Sequence, residues 1–332
     1  KGFDGIWFDF SEIVRPTRDG IHGREYISTS VDLGRRLQRL EFDEAGKLIS
    51  NVPRTVEIPV PIILDALTSR TGRGLQLALA KAAAALGTFA VVNARERSED
   101  LEVYGHNLIP RMRADEVAEF EDLVRRSRIV ELEPGEGALS DSLKRLKEAN
   151  PSALISIRSK YEERSGARAE EFLKIGADIV HFYIDEEAVE KDPDVVKEAI
   201  QRTHSYLVCR KVRDEISLIS GGGIAEASHV PKSIILGADA VSLGLAYQIA
   251  LGCKVCYGKE HSPDCQIRVA EKDVDWASQR IVNLVSSWRD QLLEVLGGMG
   301  LREVRRLRGE VGRAILHQEL DARIFGGWER CK

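Results

Sequence analysis

The sequence predicts an α/β protein built around a (β/α)8 barrel, and three observations carry this prediction. Between about residues 60 and 250, apolar runs of strand length alternate with segments of helix length. Eight such runs are present, and eight alternating units favour a closed parallel barrel over an open doubly wound sheet. The last two runs end in glycine, which suits the ligand-binding end of a barrel.

Each predicted strand is a short apolar run bounded by turn residues. The third run contains Pro110, which lacks a backbone donor and is unusual in a central strand. The predicted strands are Pro61–Leu67, Thr88–Asn93, His106–Met112, Arg128–Leu132, Leu154–Arg158, Ile179–Ile184, Ile216–Ser220 and Ala240–Leu243. Helices are predicted between them at Leu75–Leu86, Ala114–Ser127, Ala167–Ile175, Pro193–Cys209 and Ala227–Leu236.

Two parts of the chain fall outside the predicted barrel. We expect the N-terminal part, which has short apolar pieces and a turn at Asp43–Gly46, to pack on the barrel as an extension. We expect the C-terminal part to form paired helices, Asp275–Leu296 and Leu301–Ile324, separated by a glycine-rich break. The predicted divisions are 1–59 for the extension, 60–250 for the barrel, 251–274 for a cysteine-rich loop and 275–332 for the C-terminal helices.

Charge and cysteine usage narrow the functional class. The formal net charge is −5 with both signs mixed along the chain, which argues against nucleic-acid binding. No apolar run approaches the roughly 18 residues that a membrane span needs, and no signal peptide is visible. Five cysteines, three of them clustered, fit a metal site in a reduced compartment better than a disulfide framework. We therefore expect a cytoplasmic protein.

Glycines follow the seventh and eighth predicted strands. The loops after these two strands commonly hold a phosphate in (β/α)8 barrels, because glycine lets backbone N–H groups approach an anion closely. The alternative interpretation is a tight turn that requires positive φ. We favour a phosphate-bearing ligand. The residues at the two loops are Ser220, Gly221, Gly222, Gly223, Leu243 and Gly244.

Polar residues end two other predicted strands. Arg158 ends the fifth strand, where a cation would point into the barrel mouth and could neutralise an anionic ligand group. Alternatively it is a surface arginine, since Arg164 and Arg168 follow closely. Asp65, Thr68 and Ser69 lie at the end of the first strand, where they could contact a ligand or cap the next helix.

Three cysteines follow the barrel with the spacing Cys253-x2-Cys256-x8-Cys265, and His261 lies between them. Three thiolates can hold a three-iron (3Fe-4S) cluster, or a four-iron (4Fe-4S) cluster if His261 supplies the fourth ligand. The same four residues could form a tetrahedral zinc site. A third possibility is that the cysteines are ordinary thiols without a metal.

Several of these segments together resemble the FMN-binding central barrel domain of the glutamate synthase large subunit family. PVPIILDALTS resembles the family's first strand, and PGEG at 134–137 matches a turn of the family. ISLISGGGI resembles the strand that ends in its phosphate loop, and ILGADAVSLGLAYQIALGC resembles the next strand and the entry to its cluster loop. Arg158 falls where the family has a lysine that contacts the flavin.

The resemblance implies a diverged, stand-alone member that binds FMN over Ala66, Leu67 and Thr68, with the phosphate at the two glycine loops. Arg158 would stabilise the reduced flavin. Family members reduce 2-iminoglutarate, formed from 2-oxoglutarate and ammonia, to glutamate, with electrons that arrive through an iron–sulfur cluster. We expect no counterpart of the family's amidotransferase domain in this sequence. Ammonia would come from a partner subunit or from solution, and a homo- or hetero-oligomer is expected.

The chain also departs from the family around the predicted substrate. Asp185, Glu186 and Glu187 replace part of a glycine-rich HDGGTG-like loop, and Glu133 replaces a lysine beside the PGEG turn. These carboxylates would oppose a dicarboxylic substrate unless Arg95, Arg97 or Arg158 offsets them.

Two functional hypotheses follow from these departures. The first is an FMN-dependent oxidoreductase that reduces a small imino or oxo acid. The alternative is a flavin and iron–sulfur relay or structural subunit of a larger complex, without glutamate synthase activity of its own. A zinc-containing barrel that binds another phosphate ligand is a further alternative.

Overall fold

The computed structural model describes residues 2–8, 10, 26–37, 39–50, 52–65, 72–135, 139–185, 189, 192, 194–254, 273–310 and 314–316. In chain order its strands are β1 (Ile6–Phe8), β2 (Val31–Gly34), β3 (Thr55–Ile58), β4 (Ile62–Asp65), β5 (Ala90–Asn93), β6 (Leu108–Arg113), β7 (Ile129–Glu133), β8 (Leu154–Lys160), β9 (Ile179–Tyr183), β10 (Ser217–Gly221), β11 (Ala240–Leu243) and β12 (Ala314–Leu316). The described helices are α1 (Arg73–Leu86), α2 (Glu121–Arg126), α3 (Leu139–Ala149), α4 (Ser165–Ile175), α5 (Val195–Cys209), α6 (His229–Leu236), α7 (Leu245–Ala250) and α8 (Val274–Gly298).

Strands β4 to β11 form a closed parallel barrel. Each strand pairs with its neighbours in sequence, and β11 returns to β4 through the pair Val241 and Ile62. The predicted (β/α)8 fold is therefore confirmed, and every predicted strand bound agrees with the structure within two residues. Pro110 lies inside β6 opposite Val92, where a proline costs one ladder donor without blocking the extended backbone.

The N-terminal residues cover the edge of the barrel where its strands begin. β2 and β3 form an antiparallel pair, and Gly34 exchanges two 3.0 Å hydrogen bonds with the hydroxyl of Ser217, the first residue of β10. Arg35 forms a 3.0 Å ion pair with Asp178, immediately before β9. The C-terminal edge, where active sites of such barrels lie, is left as the ligand-facing end.

A buried ion cluster connects the C-terminal segment to the same edge of the barrel, where its strands begin. Asp239 accepts 2.7 Å contacts from both Arg213 and Arg308. Burial alone would raise the pKa of Asp239, but the two guanidinium groups lower it to about 2. Burial, reinforced by the charge of Arg213, lowers the pKa of His204 to about 3, so the imidazole is neutral and accepts a hydrogen bond from Arg213 Nε.

In the described residues of the C-terminal part, 273–310 and 314–316, α8 is the one long helix, and the predicted second helix is not formed. The prediction of a second helix over Leu301–Ile324 is wrong, because Val304–Leu307 forms a 3₁₀ turn and β12 pairs antiparallel with β1. Gly309, with φ of +76°, breaks the helical path. Within the described residues, none of the helices combines the length and apolar character needed to cross a bilayer.

Candidate active site at the barrel mouth

The two glycine loops lie side by side at the C-terminal edge of the barrel. Gly221 pairs with Ser242 in the parallel ladder, so the residues that follow β10 and β11 emerge next to each other. Gly222 and Gly223 have φ values of +95° and +67°. In the part of the chain that the structure describes, their N–H groups donate to no backbone carbonyl. This arrangement offers donors to an anion.

The fold itself also requires these glycines. A Cβ on Gly221 would collide with the Ser242 hydroxyl, and one on Gly222 would collide with the carbonyl oxygen of Ile184. A Cβ on Gly223 would lie 2.9 Å from a methyl group of Val196. The tight-turn interpretation of the glycine run is therefore correct, and it is compatible with a phosphate at the same turn.

We expect Gly222→Ala to lower the free energy of unfolding by about 3 kcal/mol, because left-handed strain and a backbone collision add. Gly46→Ala is the matched control, since Gly46 also has positive φ (+77°) but has no heavy atom within 4 Å of the added Cβ. It should cost only about 1 kcal/mol. Urea unfolding measures both values, and equal losses would show that the collision at Ile184 is absent.

Arg158 lies in the barrel mouth and not on the surface. Its Nη1 is 2.8 Å from Asp65 Oδ2 and 3.6 Å from Glu131 Oε1, and its Nε is 3.9 Å from Glu133 Oε1. The guanidinium carbon lies 4.5 Å from the ring centroid of Tyr183. Burial opposes the charge on Arg158, but the neighbouring carboxylates raise its pKa. The cation is thus held by side chains of this chain.

A second buried arginine, which the sequence analysis missed, completes this group. Arg111 Nη1 lies 3.4 Å from Asp65 Oδ1, and Arg111 Nε lies 3.4 Å from Glu133 Oε1. Asp65 therefore bridges Arg111 and Arg158. We call Asp65, Arg111, Glu131, Glu133 and Arg158 the mouth cluster. Charged residues inside apolar runs, Arg111 in LIPRMR and Glu131 in IVELE, were the available signal.

A hydrogen-bonded chain runs from the mouth cluster to the glycine loop. Glu131 Oε2 lies 2.8 Å from His181 Nδ1, and His181 Nε2 lies 2.8 Å from Ser242 Oγ. Ser156 also donates to Glu131 Oε2 at 3.1 Å. Burial would raise the pKa of Glu131, but His181, Arg158 and Arg111 lower it to about 2. His181 is thus a packed interior histidine whose side chain is 1% exposed.

The arginines that could have offset added carboxylates are themselves paired. Arg95 contacts Glu116 at 2.8 Å and Glu119 at 2.9 Å, and Arg97 lies 3.4 Å from Glu102. Lys160, the last residue of β8, pairs with Asp185, which follows β9.

Part of the predicted site lies outside the described residues. This holds for the predicted flavin contacts Ala66, Leu67 and Thr68, for the metal ligands Cys256, His261 and Cys265, and for Glu186 and Glu187. Cys253 is a half-buried thiol whose backbone N–H donates to Gln248 O at 2.9 Å. Cys209, the last residue of α5, is disulfide-bonded, which the cysteine pattern did not predict.

Comparison with known proteins identifies the family. The family model described as the conserved region in glutamate synthase matches residues 135–302, which is just over half of the chain. The chain belongs to the glutamate synthase family. It is 25% identical to the archaeal-type glutamate synthase [NADPH] of Dehalococcoides mccartyi, over 92% of this chain and 73% of that protein. It is 25% identical to the glutamate synthase [NADPH] large chain of Azospirillum brasilense, over 52% of this chain and 12% of that protein.

Solved structures agree with the fold. A flavocytochrome b2 variant with sulfite bound superposes with a TM-score of 0.61 at 13% identity, covering 97% of this chain and 78% of that one. A mandelate oxidase variant with a monooxide FMN adduct superposes with a TM-score of 0.52 at 14% identity, covering 85% and 87%. As a glutamate synthase family member, the chain is an FMN-dependent oxidoreductase, as the sequence analysis predicted.

The described residues fit the phosphate end of FMN better than its ring. The N–H groups of Gly222 and Gly223, which donate to no backbone carbonyl among the described residues, lie next to Gly244 and suit a phosphate. Arg158 occupies the mouth as predicted, but Asp65 already holds its guanidinium. Any contact of Arg158 with the flavin therefore competes with this ion pair.

Proposed function

We propose that this family member uses FMN to reduce a small imino or oxo acid, with electrons delivered through a cysteine-ligated cluster. The observation that carries the proposal is the pair of adjacent glycine loops beside a buried cation at the ligand-facing end of a closed barrel. Bound FMN would supply the hydride chemistry. Gly222, Gly223 and Gly244 would hold its phosphate, and Arg158 would face its ring together with Ala66, Leu67 and Thr68.

The cysteines support the electron-delivery part of the proposal through their position in the chain. The loop after β11 leads directly into α7, and two residues separate Ala250, the last residue of α7, from Cys253. A cluster on Cys253, Cys256 and Cys265 would therefore be bound by a segment that follows the phosphate loop within a few residues of sequence. His261 would be the fourth ligand if four irons are bound. Zinc on the same residues is the alternative, and it would not carry electrons.

The paired arginines favour one second candidate, a relay subunit without glutamate synthase activity. Arg95, Arg97 and Arg158 are each committed to a carboxylate, so no arginine of this set is available to a dicarboxylic substrate. Such a subunit would act with a partner that provides the substrate site. An amidotransferase or an electron-donor subunit would be the expected partner in either case.

Visible absorption with FMN, iron and zinc analysis tests the proposal. We expect a yellow protein that releases FMN on denaturation and contains iron. Cys256→Ser and Cys265→Ser should lose the iron, whereas Ser262→Ala, which lies between His261 and Cys265 in the sequence and removes no thiol, should keep it. A colourless protein that does not bind added FMN would exclude the flavin proposal. Zinc without iron would exclude electron delivery through a cysteine-ligated cluster. Turnover of 2-oxoglutarate with ammonia by the pure chain would exclude the relay alternative.

A further inference from the structure

Three side chains that can each bind a metal ion come together beside the loop that follows β10. One carboxylate oxygen of Asp4, one carboxylate oxygen of Glu226 and one ring nitrogen of His229 all lie within 4.8 Å of one another. Glu226 precedes His229, the first residue of α6, by three positions, a spacing that brings two side chains to the same side of a helical turn. Asp4 belongs to the N-terminal 3₁₀ turn Gly2–Gly5. The Asp–Glu–His cluster therefore joins two segments that are remote in sequence.

Contacts outside the cluster hold Asp4 beside His229. The backbone N–H of Gly2 donates to Asp194 Oδ1 at 2.9 Å, which anchors the 3₁₀ turn at the start of α5. The buried ring of Phe3 packs on His229, with 4.7 Å between the two ring centroids. The three side chains are thus brought together by the fold itself, so a metal ion would need little additional ordering of the chain to bind.

His229 is buried but has one ring nitrogen to spare. The residue is 9% exposed, and its Nδ1 lies 3.2 Å from both the carbonyl oxygen of Gly223 and the backbone nitrogen of Ala225. Among the described residues, Nε2 has no hydrogen-bond partner. A metal on Nε2 would select the tautomer in which Nδ1 donates to Gly223, the usual arrangement of a metal-bound histidine. Burial lowers the pKa of His229, so its ring is in the neutral, metal-binding form near pH 7.

The cluster also carries surplus negative charge. Within the described part of the chain, neither Asp4 nor Glu226 forms an ion pair or a side-chain hydrogen bond. Lys232, on the same helix as the histidine, is a nearby cation, and burial lowers its pKa although both carboxylates favour its charge. Lys197 is already paired with Asp194 at 2.5 Å. Two carboxylates and at most one unpaired ammonium therefore leave a net attraction for a cation.

We propose that Asp4, Glu226 and His229 form a binding site for a divalent transition-metal ion, with Zn²⁺ as the probe. One imidazole nitrogen and two carboxylate oxygens suit zinc, whereas magnesium and calcium prefer oxygen ligands alone. Water would complete a four-coordinate shell. The ion would link the N-terminal turn to the loop after β10. The site uses no cysteine and no flavin, so it is separate from the proposed function.

Equilibrium dialysis of the full chain against Zn²⁺, followed by metal analysis, tests the proposal. At a zinc concentration that fills the site, we expect Asp4→Asn, Glu226→Gln and His229→Gln each to bind one zinc ion fewer than the native chain. Their affinity at this site should be at least about tenfold weaker. Zinc on the cysteine motif would be the same in all these proteins, so the difference reports on the Asp–Glu–His cluster alone. The two carboxylate variants change exposed side chains and are expected to fold normally.

Two further variants separate a metal site from a purely structural cluster. Lys232→Met should tighten zinc binding, because it removes a charge that opposes the ion. His106→Gln is the matched control, since it removes an exposed imidazole that contacts Arg128 and lies away from the cluster. It should keep the zinc content of the native chain. Zinc should raise the thermal unfolding midpoint of the native chain and of His106→Gln, but raise that of Asp4→Asn less.

Equal zinc content in the native chain and the three cluster variants would overturn the inference. So would an equal loss of zinc in His106→Gln, or weaker zinc binding in Lys232→Met. FMN and iron analysis of the same samples separates this result from the proposed function. A colourless, iron-free protein that still loses one zinc ion in Asp4→Asn and Glu226→Gln would remove the flavin proposal and leave the metal site intact.

Discussion

Glu131→Gln is expected to lower the free energy of unfolding by about 3–5 kcal/mol at pH 7, because it breaks a buried ion pair from one side. Glu131 is fully buried and lies against Arg158, His181 and Ser156. The glutamine amide keeps the shape but loses the charge that balances Arg158. Its NH2 group would also face donors where the carboxylate accepts hydrogen bonds.

The loss caused by Glu131→Gln should depend on pH in a defined direction. The pKa of Glu131 falls from 4.5 to about 2 in the folded protein. A depressed carboxyl pKa stabilises the fold fully above the unfolded value, and this contribution disappears as the pH falls through the folded value. The difference between native chain and variant should therefore be constant above about pH 4.5 and shrink by roughly 3 kcal/mol toward pH 2.

Urea unfolding across this pH range measures the difference in unfolding free energy between the native chain and Glu131→Gln. Glu121→Gln serves as the control. The exposed pair of Glu121 and Arg125 should contribute less than about 1 kcal/mol at any pH. Asp239 has a similarly depressed pKa, so the native chain loses stability in acid for more than one reason. Only the difference between native chain and variant reports on Glu131. A difference that stays constant down to pH 2 would contradict the ion-pair explanation.

The barrel could be predicted from sequence because its elements are local. Each strand is an apolar run whose length and bounding turns lie within a few residues, and parallel strands joined by helices have few possible arrangements. The second C-terminal helix was not predictable in the same way. Residues 314–316 form a strand because β1, at the other end of the chain, pairs with them. Local propensity carries no information about that partner.

The candidate site also has one part that could be predicted from sequence and one part that could not. The glycine loops could be located because the rule for strands seven and eight depends only on strand order. The mouth cluster could not, because Arg111, Glu131 and Arg158 come from three different strands and Asp65 from a fourth. A lone charge in an apolar run predicts that a partner exists. Only the closed barrel shows that Asp65 joins two arginines and that the cation predicted to serve a ligand already serves the fold.

Arg158→Met is expected to cost about 3–5 kcal/mol of unfolding free energy, because it leaves Asp65 and Glu131 buried without their principal cation. Asp65→Asn alone should cost less, since Arg158 retains Glu131 and Glu133. The double variant should be more stable than the sum of the single losses predicts, by about 2 kcal/mol. Arg125→Met, which removes an arginine 57% exposed, is the control and should cost less than about 1 kcal/mol.

The FMN affinities of the native chain, Arg158→Met, Asp65→Asn and the double variant show whether Arg158 acts only through the fold or also contacts the flavin. If Arg158 acts only through the fold, Arg158→Met should recover FMN binding in the Asp65→Asn background, where the stranded negative charge is gone. If Arg158 also contacts the flavin, FMN binding should stay weak in both backgrounds. Asp65→Asn alone should then tighten FMN binding, because it releases part of the guanidinium from its internal partner. Unchanged FMN affinity across the whole cycle would show that the mouth cluster is structural and that the flavin ring lies elsewhere.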